Sequence, residues 1–168
     1  MLTPRLEVRL ARENDRLRLV ELFCDEAFMV FSSGALTAEA ASRRFDRMLE
    51  RCEELPFAKQ PVLERSSDVV VGYCGADWFD FEGAGRLEFG YRLVPDARGK
   101  GYATEAGSAL LAMAGQTFRG ELLAVIHTTN TASIHVAEKL GFAFWKHAHV
   151  DGQLRHIARC RVGTTQRR

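Results

Sequence analysis

The stretch that most restricts the fold is RLEFGYRLVPDARGKGYATEA, Arg86 to Ala106. Its first half alternates. Leu87, Phe89 and Tyr91 fall on one face of an extended chain, and Glu88, Gly90 and Arg92 on the other. Pro95 lacks an amide hydrogen and is a natural end for ladder pairing. Beyond it the period changes, and Tyr102, Ala106, Leu110 and Met113 follow one helical stripe. Between strand and helix stand Arg98, Gly99, Lys100 and Gly101. A loop of this kind points consecutive backbone N–H groups at the positive end of a helix, and its glycines let a ligand come close. It is suited to a phosphate or pyrophosphate.

The rest of the chain falls into elements around this unit. RLEVRLAR reads as a first strand, and Asn14 or Asp15 as a cap for a helix carrying Leu17, Val20, Phe23, Ala27 and Phe28. SSGAL breaks that helix, and Thr37 caps a second one that ends before Pro56. PVLERSS and VVVGYCGADWFD are strand-like, and FEGAG is a turn into the Arg86 strand. ELLAVIHT reads as a buried strand and ASIHVAEKLG as a short helix closed by Gly141. FAFWKHAHV and QLRHIARCRV form a hairpin across Asp151-Gly152. The order β-αα-βββ-α-β-α-ββ predicts one α/β (α+β) domain over residues 1–168. Its sheet is mixed, with about seven mostly antiparallel strands and helices on both faces.

Composition closes off other classes. The 23 basic and 22 acidic residues nearly cancel, which argues against a nucleic-acid binder held by charge. The basic tail RCRVGTTQRR reads as a frayed terminus. No apolar run is long enough to cross a bilayer, and MLTPRLEVRLAREND has no signal-peptide core, so a cytoplasmic location is expected. Cys24, Cys52, Cys74 and Cys160 make no metal-ligand spacing, and reduced thiols without a metal are expected. The loop is not a P-loop: Val94 stands at the first glycine position, and Gly101 where Ser or Thr should follow Lys100. Nor is it a dinucleotide fingerprint, because Thr104 takes the third glycine position.

Arg98-x-x-Gly101-x-Ala103 resembles the R/Q-x-x-G-x-G/A signature of the GNAT (GCN5-related N-acetyltransferase) superfamily. NTASIHVAEKLGF, Asn130 to Phe142, is similar to the N-x-x-S and E-K-L-G-F segments of the branch that contains the ribosomal-protein N-terminal acetyltransferases. The close resemblance runs from Arg86 to Trp145. It implies an enzyme that moves an acetyl group directly from acetyl-CoA to a primary amine, either a protein N-terminal α-amine or a small molecule, acting as a monomer or homodimer. The rival reading is an acyl-CoA-binding sensor without turnover.

The resemblance implies a role for each matching residue. Backbone around Gly99, Lys100, Gly101, Tyr102, Ala103 and Thr104, with Arg98, holds the pyrophosphate. Main-chain groups near Leu93 and Val94 polarise the thioester. Asn130 lies against the pantetheine arm and Ser133 near its sulfur. Glu88 is the candidate base, directly or through water, with Gly90 leaving room beside it. Many relatives carry an acidic tyrosine where this chain has Ala137, so Ser133 or water must protonate the thiolate. His127 is a candidate substrate contact and His135 a structural residue. Cys74 is expected in the core, and so, mostly, are Phe23, Phe28, Phe31, Phe45 and Met48. A strongly cationic acceptor would call for an acidic cleft, for which Asp25, Glu26, Asp77, Asp80 and Glu82 are candidates.

Overall fold

A computed structural model describes residues 1–32 and 34–163. Seven strands form one sheet: β1 (Leu6–Val8), β2 (Gln60–Glu64), β3 (Val69–Phe81), β4 (Ala84–Leu93), β5 (Gly120–His127), β6 (Ala143–Val150) and β7 (Gln153–Val162). They lie in the order β1-β2-β3-β4-β5-β7-β6. Every neighbouring pair is antiparallel except β4 and β5. Among the described residues five α-helices accompany the sheet: α1 (Arg16–Phe23), α2 (Glu26–Met29), α3 (Ala38–Glu54), α4 (Tyr102–Thr117) and α5 (Thr131–Lys139). The expected order holds, with one addition. The first predicted helix is two helices, because the Asp25 carboxylate accepts from the Phe28 N–H at 2.6 Å and starts a new one. Asp15 does not cap α1 with its side chain; it is buried and forms a two-pronged ion pair with Arg9. Ser33 of SSGAL and residues 164–168 of the basic tail lie outside the described residues.

The alternation read from β4 places helices on both faces. Leu87, Phe89 and Leu93 pack with Tyr102, Ala106, Leu110 and Ala114 of α4. On the other face, Leu63, Val70 and Tyr73 meet Leu19 and Phe23 of α1, Phe28 and Met29 of α2, and Ala41, Phe45, Met48 and Cys52 of α3. The α3 spacing is the helical period, and each fully buried large side chain contributes about 1.5–3 kcal/mol. Asp151 and Gly152 both have positive φ, as their hairpin requires. Gly141, also at positive φ, closes α5: its N–H donates to Glu138 and that of Phe142 to Ala137.

The feature that shapes the site is a failure to pair. β3 and β4 stay in register from Phe81↔Ala84 to Gly72↔Leu93. β4 and β5 match only at Leu87↔Leu122 and Glu88↔Leu123. Beyond Glu88 the two strands continue but separate, opening a wedge between Phe89–Leu93 and 124–127.

Candidate active site

A cleft of about 500 Å³ fills this wedge and runs from the loop before α4 to the inner ends of α2 and α3. Of the residues singled out from sequence, Glu88, Leu93, Arg98, Gly99, Gly101 and Tyr102 line it. Ala103, Thr104, Asn130 and Ser133 do so too. Val94 and Lys100 do not. The Val94 N–H donates to the Val71 carbonyl at 2.9 Å, so it points into the sheet and is not available to polarise a bound carbonyl. Because N–H directions alternate along a strand, the Leu93 and Tyr91 N–H groups face the opposite edge, toward the wedge. The Lys100 side chain instead leans over the Tyr102 ring, 5.9 Å from its centroid.

The loop is held from outside. Gly99 (φ 72°) and Gly101 (φ 80°) adopt left-handed conformations that other residues enter at a cost. Gly101 is the N-cap of α4 and provides no side-chain cap, which leaves the first-turn N–H groups without one. Arg5 donates to the Lys100 carbonyl at 2.7 Å and pairs with Glu105. Arg98 is not a free cation over the loop: it donates to the Leu93 carbonyl at 3.1 Å and the Ala27 carbonyl at 2.7 Å, tying loop, β4 and α2 together. The Tyr102 hydroxyl donates to Glu64, which lowers the pKa of that carboxyl. What the loop presents to the cleft is backbone and helix dipole, a seat whose chemistry fits a phosphate.

At the middle of the wedge, Glu88 projects on the face opposite α4. Its carboxylate lies over Gly90, where an added Cβ would sit 2.9 Å from Oε1. It accepts a 2.7 Å hydrogen bond from Lys59 Nζ, with both side chains about one-fifth exposed. Burial is the largest influence on the Lys59 ammonium and works against it, but the Glu88 charge and hydrogen bond together with Tyr73 outweigh it and the pKa is raised. Sequence reasoning missed Lys59. It precedes β2, on a segment that crosses β3 so closely that a Cβ at Gly75 (φ 141°) would meet the Ala58 carbonyl at 2.1 Å. That glycine was the readable trace of the crossing.

On the far wall, Asn130 caps α5 by accepting from the Ser133 N–H at 3.1 Å. The Ser133 hydroxyl is 3.1 Å from the Tyr91 hydroxyl, a partner also missed. Burial raises the Tyr91 pKa against the opposing effect of Ser133, so the phenol keeps its proton. His127 lines the cleft, its Nδ1 2.8 Å from Thr129 Oγ1 and its ring against Phe31. His135 is exposed and lines the cleft, which corrects its assignment as a structural residue. Cys74 is buried, and burial pushes its thiol up to about 12, so it is a core residue and not a nucleophile. Phe23, Phe28, Phe45 and Met48 are buried as expected, but Phe31 is 43% exposed on the cleft. Arg44 and Arg92, not singled out from sequence, line the same end as Lys59.

Comparison with known proteins agrees with this fold. The acetyltransferase (GNAT) domain family matches residues 5–143. The uncharacterised protein YkkB of Bacillus subtilis is 30% identical over 149 residues, 87% of this chain and 86% of its own length. The L-amino acid N-acyltransferase MnaT of Escherichia coli is 26% identical over 140 residues, 82% of this chain and 79% of its own. Among solved structures, a GNAT-family acetyltransferase of Bordetella pertussis has a TM-score of 0.83 at 20% identity, covering 95% of this chain and 97% of its own.

Proposed function

The chain belongs to the GNAT acetyltransferase family, and we propose that it acetylates a primary amine, a protein N-terminal α-amine or a small molecule, with the groups of the β4–β5 wedge. It is an N-acetyltransferase with acetyl-CoA as donor; the acceptor and the residue roles are our reading. The observation that carries those roles is the wedge itself. It opens one strand edge inside the sheet, with an uncapped helix N-terminus at one end and the Glu88–Lys59 pair beside it.

Acetyl-CoA supplies an activated acyl carbon and a thiolate leaving group. The Gly99–Thr104 backbone fits the pyrophosphate. The Leu93 N–H faces the wedge, where it can donate to the thioester oxygen and stabilise negative charge that develops there. Glu88 takes the amine proton, directly or through water, as the C–N bond forms and the C–S bond breaks. Lys59 holds the carboxylate in place. The Ser133 hydroxyl gives a proton to the departing sulfur and regains one from solvent through the Tyr91 phenol, which ends the step protonated as it began; Glu88 releases the amine proton to solvent, so the protons balance.

The test is release of free CoA thiol with a panel of amines, comparing the wild type with Glu88→Gln. Amine-dependent thiol release that falls sharply in the variant supports the reading. CoA binding without release for any amine, and no effect of the variant, would leave a binding module.

A further inference from the structure

The charges around the cleft are unequal. Among the described residues, Arg44, Lys59, Arg92, Arg98 and Lys139 line it, against the single carboxylate of Glu88. Arg98 and Lys139 belong to the loop and α5, on the donor side. Arg44, Lys59 and Arg92 surround the acceptor side, where Glu88 can answer only one, and it is paired with Lys59. None of the acids that sequence reasoning held in reserve lines the cleft. Asp25 caps α2, Asp77 pairs with Arg51, and Glu82 with Lys146. Asp80 accepts from the Gly83 N–H, and Glu26 is exposed on α2.

The two arginines are held but not neutralised. Arg44 stacks on the Phe23 and Tyr73 rings and donates to the Tyr73 hydroxyl at 3.1 Å. Arg92 lies near the Phe28 ring and donates to the Met29 sulfur, a weak acceptor. Neither has a carboxylate partner among the described residues. Arg5, Arg9, Arg16 and Arg51, by contrast, each face an acid. A guanidinium carries five N–H donors, so each arginine keeps most of its donors for an occupant. Burial is the main cause that lowers the Arg92 pKa; the nearby Arg44 and Arg98 charges add to the lowering, and Tyr73 and Glu88 offset it only in part.

We propose that the acceptor is a small amino acid-like molecule whose carboxylate is bound by Arg44 and Arg92 and whose amine is presented toward Glu88. This rests on the acetyltransferase reading above. A polyamine would add positive charge where positive charge is already in excess, and in a polypeptide N-terminus the carboxyl beside the amine is an uncharged amide. Phe28, Val30 and Phe31 line the same end and suit an apolar side chain. The excess charge also works on the acceptor itself, because a cationic surrounding disfavours the ammonium form and favours the neutral amine that attacks.

The experiment measures kcat/KM by thiol release for apolar L-amino acids, their amides, the corresponding decarboxylated amines, and spermidine. Acetyl-CoA affinity is measured separately by calorimetry. Going from acid to amide removes the charge-assisted hydrogen bonds to the arginines and is expected to cost about 10–100-fold in kcat/KM. The sign is informative, since the uncharged amide has the more easily deprotonated amine and chemistry alone would prefer it. Arg92→Gln and Arg44→Gln should bring the acid-to-amide ratio toward one through KM, with acetyl-CoA affinity unchanged. Amides or spermidine used as well as or better than the acids would overturn this proposal and leave the transferase standing. Acetyl-CoA binding with no thiol release for any amine would overturn both.

Discussion

The two ends of the cleft are made of different material. The donor end is backbone: two left-handed glycines, the first turn of α4, and the strand edge that β5 leaves open. Of its cations, Arg98 is engaged by carbonyls and Lys100 leans over the Tyr102 ring. The acceptor end is side chain: Lys59, Arg44, Tyr73 and Arg92 reach in from a crossing segment, α3, β3 and β4. A seat for a group shared by many enzymes can be written in main-chain conformation. A seat for a particular acceptor has to be written in side chains. The difference implies that changes at the two ends should register in different measurements.

The most damaging change is expected at the boundary. Glu88→Gln removes the proposed proton acceptor while keeping the shape and should lower kcat by about 10²–10⁴-fold, leaving acetyl-CoA affinity intact. Gly101→Asp comes next. A side chain at φ 80° is strained, and its charge opposes an anion at the helix end. Acetyl-CoA affinity should fall by about 10–100-fold, read by calorimetry, with discrimination among acceptors unchanged. An effect of that variant on acceptor choice would break the separation of the two ends.

Smaller effects sharpen it. Lys59→Met strands a half-buried carboxylate and should reduce unfolding free energy by about 1–2 kcal/mol in denaturant titrations. The pH dependence follows from the raised Lys59 pKa. Its stabilisation is complete below the ordinary lysine value of about 10.4 and is lost as pH rises through the higher folded value. The gap between wild type and variant should therefore hold through neutral pH and close only in strong alkali. Tyr91→Phe deletes one hydroxyl from the Ser133 pair and should slow kcat by about 2–10-fold, without changing either affinity.

The same division explains what the sequence disclosed. Gly99, Gly101 and Pro95 announce themselves because few residues can hold those backbone positions, and the β4 alternation puts Glu88 beside Gly90 without further help. The succession of elements along the chain was legible in the turns. Lys59, Arg44, Arg92 and Tyr91 carried no such mark. Each is ordinary in its own segment, and only tertiary packing brings them to one place: the pass of Phe57–Lys59 over Gly75, the lie of α3, and the run of β4 past its last pair with β5. Val94 was misplaced by one residue's parity, since the N–H that faces the cleft is that of its neighbour. Asp25 interrupted a helix whose apolar spacing otherwise ran on, because one carboxylate capping one N–H is enough to restart the count.

The two-rung pairing between β4 and β5 also has a mechanical side. It divides the sheet into two plates, β1–β4 and β5–β7, joined along a short seam and braced by α4, which touches β1, β3, β4 and β7. A molecule lying in the open part of that seam supplies the rungs the chain omits. On the site proposed above, cofactor binding would then also be the last step in building the sheet, and the loaded enzyme the stiffer object.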